Sequence, residues 1–328
     1  MTHKILRLAL CALLLAPSLP VQAQQQKIPR IGYLSPGRDS NPPGLPVEAF
    51  RQGLRDLGYI EGKNILVEYR YFEGKPDLIP SLVAELVQLK VDVIVLISLQ
   101  TIRAAKQATK TIPIVMVTTV DPVATGIVDS LARPGGNITG LTRLTRELSG
   151  KRLELFKEAV PRMSRVGVLW DADNPGAAVS FKEYEAVARA FKLQFQSLEV
   201  RGPNPDLEGA FQASAKGRAN ALITISNSLL FLHRKRIVDL AIKNRLPSMC
   251  EESGYVNAGC LMSYASDDAW NFRRAAYYVD RILKGTKPAD LPVEQPMKFE
   301  LVINLQTAKQ IGLTVPPNLL VRAQRVIK

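Results

Sequence analysis

Arg30-Ile31-Gly32-Tyr33-Leu34 is echoed 135 residues on by Arg165-Val166-Gly167-Val168-Leu169. Two more landmarks recur in the same order. Asp92-Val93-Ile94-Val95-Leu96-Ile97-Ser98 is matched by Asn220-Ala221-Leu222-Ile223-Thr224-Ile225-Ser226 at an offset of 128, and Thr111-Ile112-Pro113 by Arg245-Leu246-Pro247 at 134. Any two strand–helix units share one such echo. Three at similar offsets mark two lobes of one topology, related by duplication. Around the echoes, short β-rich apolar runs at residues 30–34, 65–71, 91–97 and 112–117 alternate with amphipathic segments at 47–57 and 78–89. Alternation of that kind predicts parallel sheets covered by helices on both faces, so the fold class is α/β, with two Rossmann-like lobes and a ligand cleft between them.

The turn-rich Pro134-Gly135-Gly136-Asn137 and the β-favouring Ile138-Thr139-Gly140-Leu141-Thr142 carry the chain from one lobe toward the next. A helix over 267–283, a proline-punctuated stretch at 287–296 and a strand at 299–303 imply further crossings. The expected division is 24–143 plus about 265–287 for the N-terminal lobe, and 144–264 plus about 288–328 for the C-terminal lobe. At 328 residues the chain is long enough for two such cores without staples. A monomer is expected, since no heptad or long exposed apolar stripe argues for assembly.

Residues 1–23 carry Lys4 and Arg7, an unbroken apolar run over 8–16, Pro17 and Pro20, and the small-residue ending Val21-Gln22-Ala23. That anatomy predicts a signal peptide and a periplasmic product starting at Gln24; the apolar run falls short of a membrane span. Cys11 lies within the run, after Leu10, which argues against a lipoprotein anchor. Removing the segment leaves 41 cations against 30 acids, a balance of +11. The positive residues are scattered, which favours a solvated basic surface over a nucleic-acid partner. Export permits pairing of Cys250 and Cys260, and their spacing leaves open whether they pair.

In open α/β sheets ligands sit beyond the carboxyl ends of the strands. The repeat therefore names a lining: Ser35, the Ser98-Leu99-Gln100-Thr101 loop and the Asp121-Pro122 turn from lobe one; Asp171, Asn174, Asn227 and Glu251 from lobe two. Hydroxyls and backbone N–H groups near Ser98 and Thr101 suit a carboxylate, and Asp121 or Glu251 suits an ammonium. Ser98, Asn174 and Ser226 serve equally as helix N-caps. Trp170, Tyr33, Tyr255 and Tyr264 have the rings to stack on a ligand, although aromatics at strand ends commonly belong to the core.

Missing chemistry narrows the reading. No G-x-G-x-x-G follows the first strand, and neither a phosphate-binding G-x-x-x-x-G-K-[ST] nor a G-x-S-x-G elbow occurs. Two histidines and three cysteines offer no structural-zinc spacing, so no metal or other cofactor is expected. His233 falls in a basic helix-like stretch and reads as a surface residue. Asp171 and Asp173 are paired carboxylates with nothing to set them across a scissile bond. A non-enzymatic protein is expected.

Phe50-Arg51-Gln52-Gly53-Leu54, Leu57-Gly58-Tyr59-Ile60-Glu61-Gly62-Lys63-Asn64 and Asp121-Pro122-Val123 mark the first half. Ser130-Leu131-Ala132-Arg133-Pro134-Gly135-Gly136-Asn137-Ile138-Thr139-Gly140 and Leu261-Met262-Ser263-Tyr264 are denser signatures, and Asp280 to Gly285 with 287–305 completes them. With these the chain resembles the ABC-transporter substrate-binding protein family that includes tryptophan- and tyrosine-binding members. The resemblance implies a type I periplasmic-binding-protein fold and capture of a small solute, an amino acid or aromatic compound, by hinge closure of the lobes. It further implies delivery to a membrane permease driven by a cytoplasmic ATPase. It points to Asp121 and the Ser98 loop in lobe one, and to Asn227 and the Glu251 region in lobe two, as ligand contacts. Cys260 and Ala265 stand where the family pattern has glycine, and Leu99-Gln100 is bulkier than usual, departures expected to fall near the cleft. A ligand-binding sensor subunit of a signalling receptor is the alternative use of the same fold; the signal segment at the N-terminus disfavours a DNA-binding repressor.

Overall fold

A computed structural model describes residues 27–37, 44–143 and 148–328. The segment read as a signal peptide lies outside the described residues. The first sheet comprises β1 (Arg30–Ser35), β2 (Leu66–Tyr71), β3 (Val93–Leu96), β4 (Ile114–Thr118) and β5 (Ile138–Thr142). The second comprises β6 (Arg165–Asp171), β7 (Gln194–Val200), β8 (Ala221–Thr224), β9 (Ser248–Cys250), β10 (Met262–Ser266), β11 (Phe299–Asn304) and β12 (Arg325–Ile327). Helices follow as α1 (Leu45–Asp56), α2 (Ile79–Gln88), α3 (Leu99–Ala108), α4 (Ser149–Ala159), α5 (Pro175–Ala190), α6 (Leu207–Lys216), α7 (Ser228–Leu232), α8 (Arg234–Lys243), α9 (Ser253–Asn257), α10 (Asp268–Leu283), α11 (Leu305–Gln310) and α12 (Pro317–Arg322).

Strand order in the first sheet is β2-β1-β3-β4-β5, all parallel. The second sheet repeats it as β7-β6-β8-β9-β10, again parallel, and then adds β11 antiparallel to β10 and β12 parallel to β11. The sequence echoes thus fall on equivalent strands. β3 and β4 are buried at every position, as a central parallel strand covered on both faces requires. The two lobes are α/β with parallel sheets, as the alternation predicted.

The chain crosses between lobes after Arg143, again near Asp267, and a third time before Phe299. After the second crossing α10 packs on the first lobe, where Phe272, Ala275, Ala276 and Val279 join the core with Phe50 and Leu54 of α1. Gly53 makes that approach possible: a Cβ there would lie 2.8 Å from the Arg273 carbonyl oxygen. The proline-punctuated stretch differs from expectation. Instead of turning to the second lobe at about 287, residues 288–294 strap the free edge of β5. Thr139 Oγ1 donates to the Leu291 carbonyl at 2.6 Å, Glu294 N–H to the Gly140 carbonyl at 2.9 Å, and Val293 N–H to the Leu131 carbonyl at 2.7 Å. Covering an edge strand removes its unpaired backbone groups from competition with other chains. Residues 265 and 266 likewise belong to β10, so the second crossing falls just after them.

Candidate functional site

Between the lobes lies a cavity of about 900 Å³. Its walls come from the carboxyl ends of β1, β3 and β4 on one side and of β6, β8 and β9 on the other, where short loops lead into helix N-termini. Ser35, Ser98, Gln100, Asn174, Asn227 and Glu251 stand on this wall. Five of the other candidates do not, for identifiable reasons. Thr101 is buried, its hydroxyl and N–H spent in a capping box with Ser98. Asp121 accepts from the N–H groups of Val123 and Ala124 at 2.8 and 3.1 Å and so closes its own turn, with Pro122 buried in it. Asp171 is buried, accepting from Asn227 Nδ2 and the Asp173 N–H; burial pushes its carboxyl above the usual range despite those bonds. Tyr264 stacks on Phe299 within the second lobe.

The other expected aromatics also sit off the wall: Trp170 stacks on Phe181, while Tyr33 and Tyr255 are fully buried. Rings that do line the cavity are Tyr71, Phe231 and Phe272. His233, read as a surface residue, reaches its rim, with Nε2 3.2 Å from the Pro203 carbonyl. Of the departures from the family pattern, Leu99 and Gln100 line the cavity, whereas Cys260 and Ala265 are buried away from it.

Two arginines went unnoticed in the sequence and organise the floor. Arg143, at the first crossing, donates to Asp268 Oδ1 at 2.7 Å and reaches Glu252 Oε1 at 3.5 Å; Ser226 Oγ donates to the same Glu252 oxygen at 2.5 Å. Burial opposes the Arg143 charge, but Asp268 and Glu252 outweigh it and hold the guanidinium protonated. Behind this cluster Arg152 of α4 is wholly buried. It donates to the Tyr264 carbonyl at 2.7 Å, the Tyr184 hydroxyl at 3.2 Å and Glu251 Oε1 at 3.3 Å. Glu251 also accepts from the Tyr184 hydroxyl at 2.9 Å and, through Oε2, from the Ser226 N–H at 2.8 Å. Burial pushes the Glu251 carboxyl up; Arg152, the Ser226 N–H and Tyr184 pull it back without cancelling. One guanidinium thereby ties α4, the exit strand β10 and the cleft loop after β9 into a single unit.

Cys250 and Cys260 form a disulfide. It closes the excursion that carries Glu251, Glu252, Gly254 and Asn257 to the cavity wall. Replacing both cysteines by serine is expected to lower unfolding free energy by about 2 kcal/mol, through the freed loop entropy of the unfolded chain. Urea titration of the oxidised protein against the double variant measures it, and equal midpoints would show that the bridge adds nothing.

Among the described residues no group of three or more His, Cys, Asp or Glu is placed to hold a metal ion, and no helix is long and apolar enough to cross a membrane. The sequence model of the family described as ABC transporter substrate binding protein matches residues 43–327. The chain belongs to this family. A tyrosine-binding protein of Clostridioides difficile (strain R20291) is 27% identical over 258 residues, covering 79% of this chain and 74% of that relative. Among solved structures, a conserved domain protein from Vibrio cholerae superposes with a TM-score of 0.83 at 28% identity, covering 92% of this chain and 100% of that one. An ABC domain in complex with L-Trp from Streptococcus pneumonia also gives 0.83, at 24% identity, covering 91% and 99%. The fold is the type I periplasmic-binding-protein fold.

Proposed function

We propose that this substrate-binding protein is the periplasmic component of an ABC import system. It captures a small solute, an amino acid or an aromatic compound, in the interlobe cleft and hands it to a permease coupled to a cytoplasmic ATPase. The carrying observation is the cavity itself: about 900 Å³ walled by the strand ends of both lobes, so that one ligand contacts both. Its composition supports the solute class. Ile97, Leu99, Val120, Ile225 and Phe231 offer an apolar body to pack on, and the Gln100 amide, the Arg103 guanidinium and Asn174 Nδ2, none of them engaged in a hydrogen bond among the described residues, offer polar groups that orient it. The tyrosine-binding and L-Trp-bound relatives point the same way. The protein catalyses nothing on this reading. It works as a monomer, and its signal segment ends at Ala23. Rotation of the lobes about the crossings buries the solute and creates a face the permease distinguishes from the open form.

A thermal-shift screen of the chain from residue 24 against amino acids, aromatic acids, nucleosides and dicarboxylates tests the proposal. A true solute at a hundredfold excess over its Kd adds about 2.7 kcal/mol of stability, and Gln100→Ala, which removes a wall amide with no structural hydrogen bond among the described residues, is expected to reduce the shift. Cooperative unfolding at one unmoved temperature across the whole panel would overturn the solute reading in favour of a protein partner.

A further inference from the structure

Side chains of the two lobes meet in different ways at the rim and at the floor of the cleft. Rim contacts are apolar: a Cβ at Gly74 would lie 2.8 Å from Leu232 Cδ2, and one at Gly176 3.8 Å from Val120 Cγ1. At the floor the contact is ionic. Arg143 stands where β5 leaves the first lobe, its N–H donating to the Thr118 carbonyl of β4 at 2.8 Å. Its guanidinium is nearly buried and reaches both ways, to Asp268 Oδ1 at 2.7 Å in the first turn of α10 on the first lobe, and to Glu252 Oε1 at 3.5 Å in the loop after β9 on the second. Of the ion pairs between described residues, Arg143–Glu252 alone joins the lobes. Neighbouring charges are settled within one lobe. Arg152 pairs with Glu251 and acts on Glu252 as well, Arg325 faces Glu300, and Arg234 lies over the Phe231 ring, all in the second lobe, while Asp267 at the second crossing caps α10 through the Trp270 N–H. Apart from Arg143, Glu252 has one hydrogen-bond partner among the described residues, the Ser226 hydroxyl of its own lobe.

We propose that Arg143 is a positioning residue for the lobes: by holding Glu252 across the floor it biases the empty protein toward the closed arrangement, so that a solute completes a closure already favoured. This inference rests on the reading that the lobes rotate about their crossings. Rotation carries Glu252 with the second lobe, while the bonds to Thr118 and Asp268 keep Arg143 with the first. At 3.5 Å the contact is at the outer limit of a hydrogen bond, so a small opening breaks it and leaves the carboxylate with the Ser226 hydroxyl and the more distant Arg152. Taking a guanidinium from a nearly buried carboxylate is costly, and that cost opposes opening. Arg143 and Asp268 ride together on the first lobe, so their bond aims the guanidinium without itself resisting rotation. A closed state that is populated before binding spares the solute part of the work of closure and tightens its apparent affinity in proportion.

Small-angle scattering of the solute-free chain from residue 24 tests the inference, with urea titration of the same samples beside it. Glu252→Gln is expected to lower the ratio of closed to open molecules about tenfold, the lower end of what a hydrogen bond to a charged group contributes, and so to enlarge the radius of gyration. Arg143→Met should do the same, the double variant should open no further than the wider of the two, and Arg143→Lys should recover part of the closure. Asp268→Asn separates positioning from packing. It removes the shorter bond, and is expected to lower the urea midpoint while keeping the compact radius. Equal radii for the unmodified protein and Glu252→Gln would overturn the proposal. So would opening by Asp268→Asn as wide as that by Glu252→Gln, which would make the cluster a structural element alone. Because no solute enters the experiment, either result leaves the solute-binding reading to its own screen. Should Arg143→Met unfold the protein, Glu252→Gln and Asp268→Asn decide.

Discussion

Replacing Arg152 by methionine is expected to lower unfolding free energy by about 3 to 5 kcal/mol, because it leaves a charge buried without its partner. Glu251 keeps the Ser226 N–H and the Tyr184 hydroxyl but loses the one guanidinium that pairs with it among the described residues. The loss should also depend on pH, with a definite sign. Burial already pushes the Glu251 carboxyl above its usual range, and without Arg152 it rises further. A native state that binds this proton more tightly than the unfolded chain loses stability as pH rises through the native value and regains it as pH falls. The deficit of Arg152→Met should therefore be larger at pH 8 than at pH 5, and Glu251→Gln in that background should recover part of it. Denaturant unfolding at the two pH values measures both. A deficit below 1 kcal/mol, or one independent of pH, would mean that the pair is replaceable by simple packing.

The repeat made the architecture legible because strand cores are written in contiguous apolar residues. Ile31–Leu34 and Val166–Leu169 are wholly buried on both faces, so their patterns show through in sequence. The strap at 288–294 was not readable, since its pairing with β5 depends on backbone hydrogen bonds that any proline-spaced segment can make. The cleft as a whole followed from the strand ends, but individual side chains divided according to local bonding. Asp121 and Thr101 share the residue types of a binding loop and are consumed by the turn and the cap that hold the loop in place. Arg152 was visible in principle. It falls on one helical stripe with Ser149, Phe156 and Ala159, all buried, and a cation on an apolar stripe demands a buried acid somewhere in the fold. Arg143 gave no such signal, because its partners Glu252 and Asp268 come together only through the crossings.

Gly74→Leu is expected to weaken solute binding on the order of thirtyfold by obstructing closure of the lobes. Gly74 follows β2 in the first lobe, and Leu232 ends α7 in the second; a Cβ at position 74 would lie 2.8 Å from Leu232 Cδ2. The lobes therefore meet at this point on the rim, and glycine is what lets them. A leucine there places three more carbons beyond the Cβ, against the Leu232 side chain, so that Leu232 must turn aside or the lobes must stand farther apart. Gly74 also has φ of +72°, so any side chain adds backbone strain of roughly 1 to 2 kcal/mol. Gly58 separates the two effects: its φ is +85°, and nothing lies within 4 Å of its Cβ position. Gly58→Leu should cost similar stability and leave affinity unchanged, whereas Gly74→Leu should lose affinity and, in small-angle scattering with solute, keep the larger radius of the open form. Leu232→Ala in the Gly74→Leu background should restore much of the affinity, because it removes the obstacle without relieving the strain. Equal affinities for the Gly58 and Gly74 variants would show that contact at the rim has no part in holding the lobes closed.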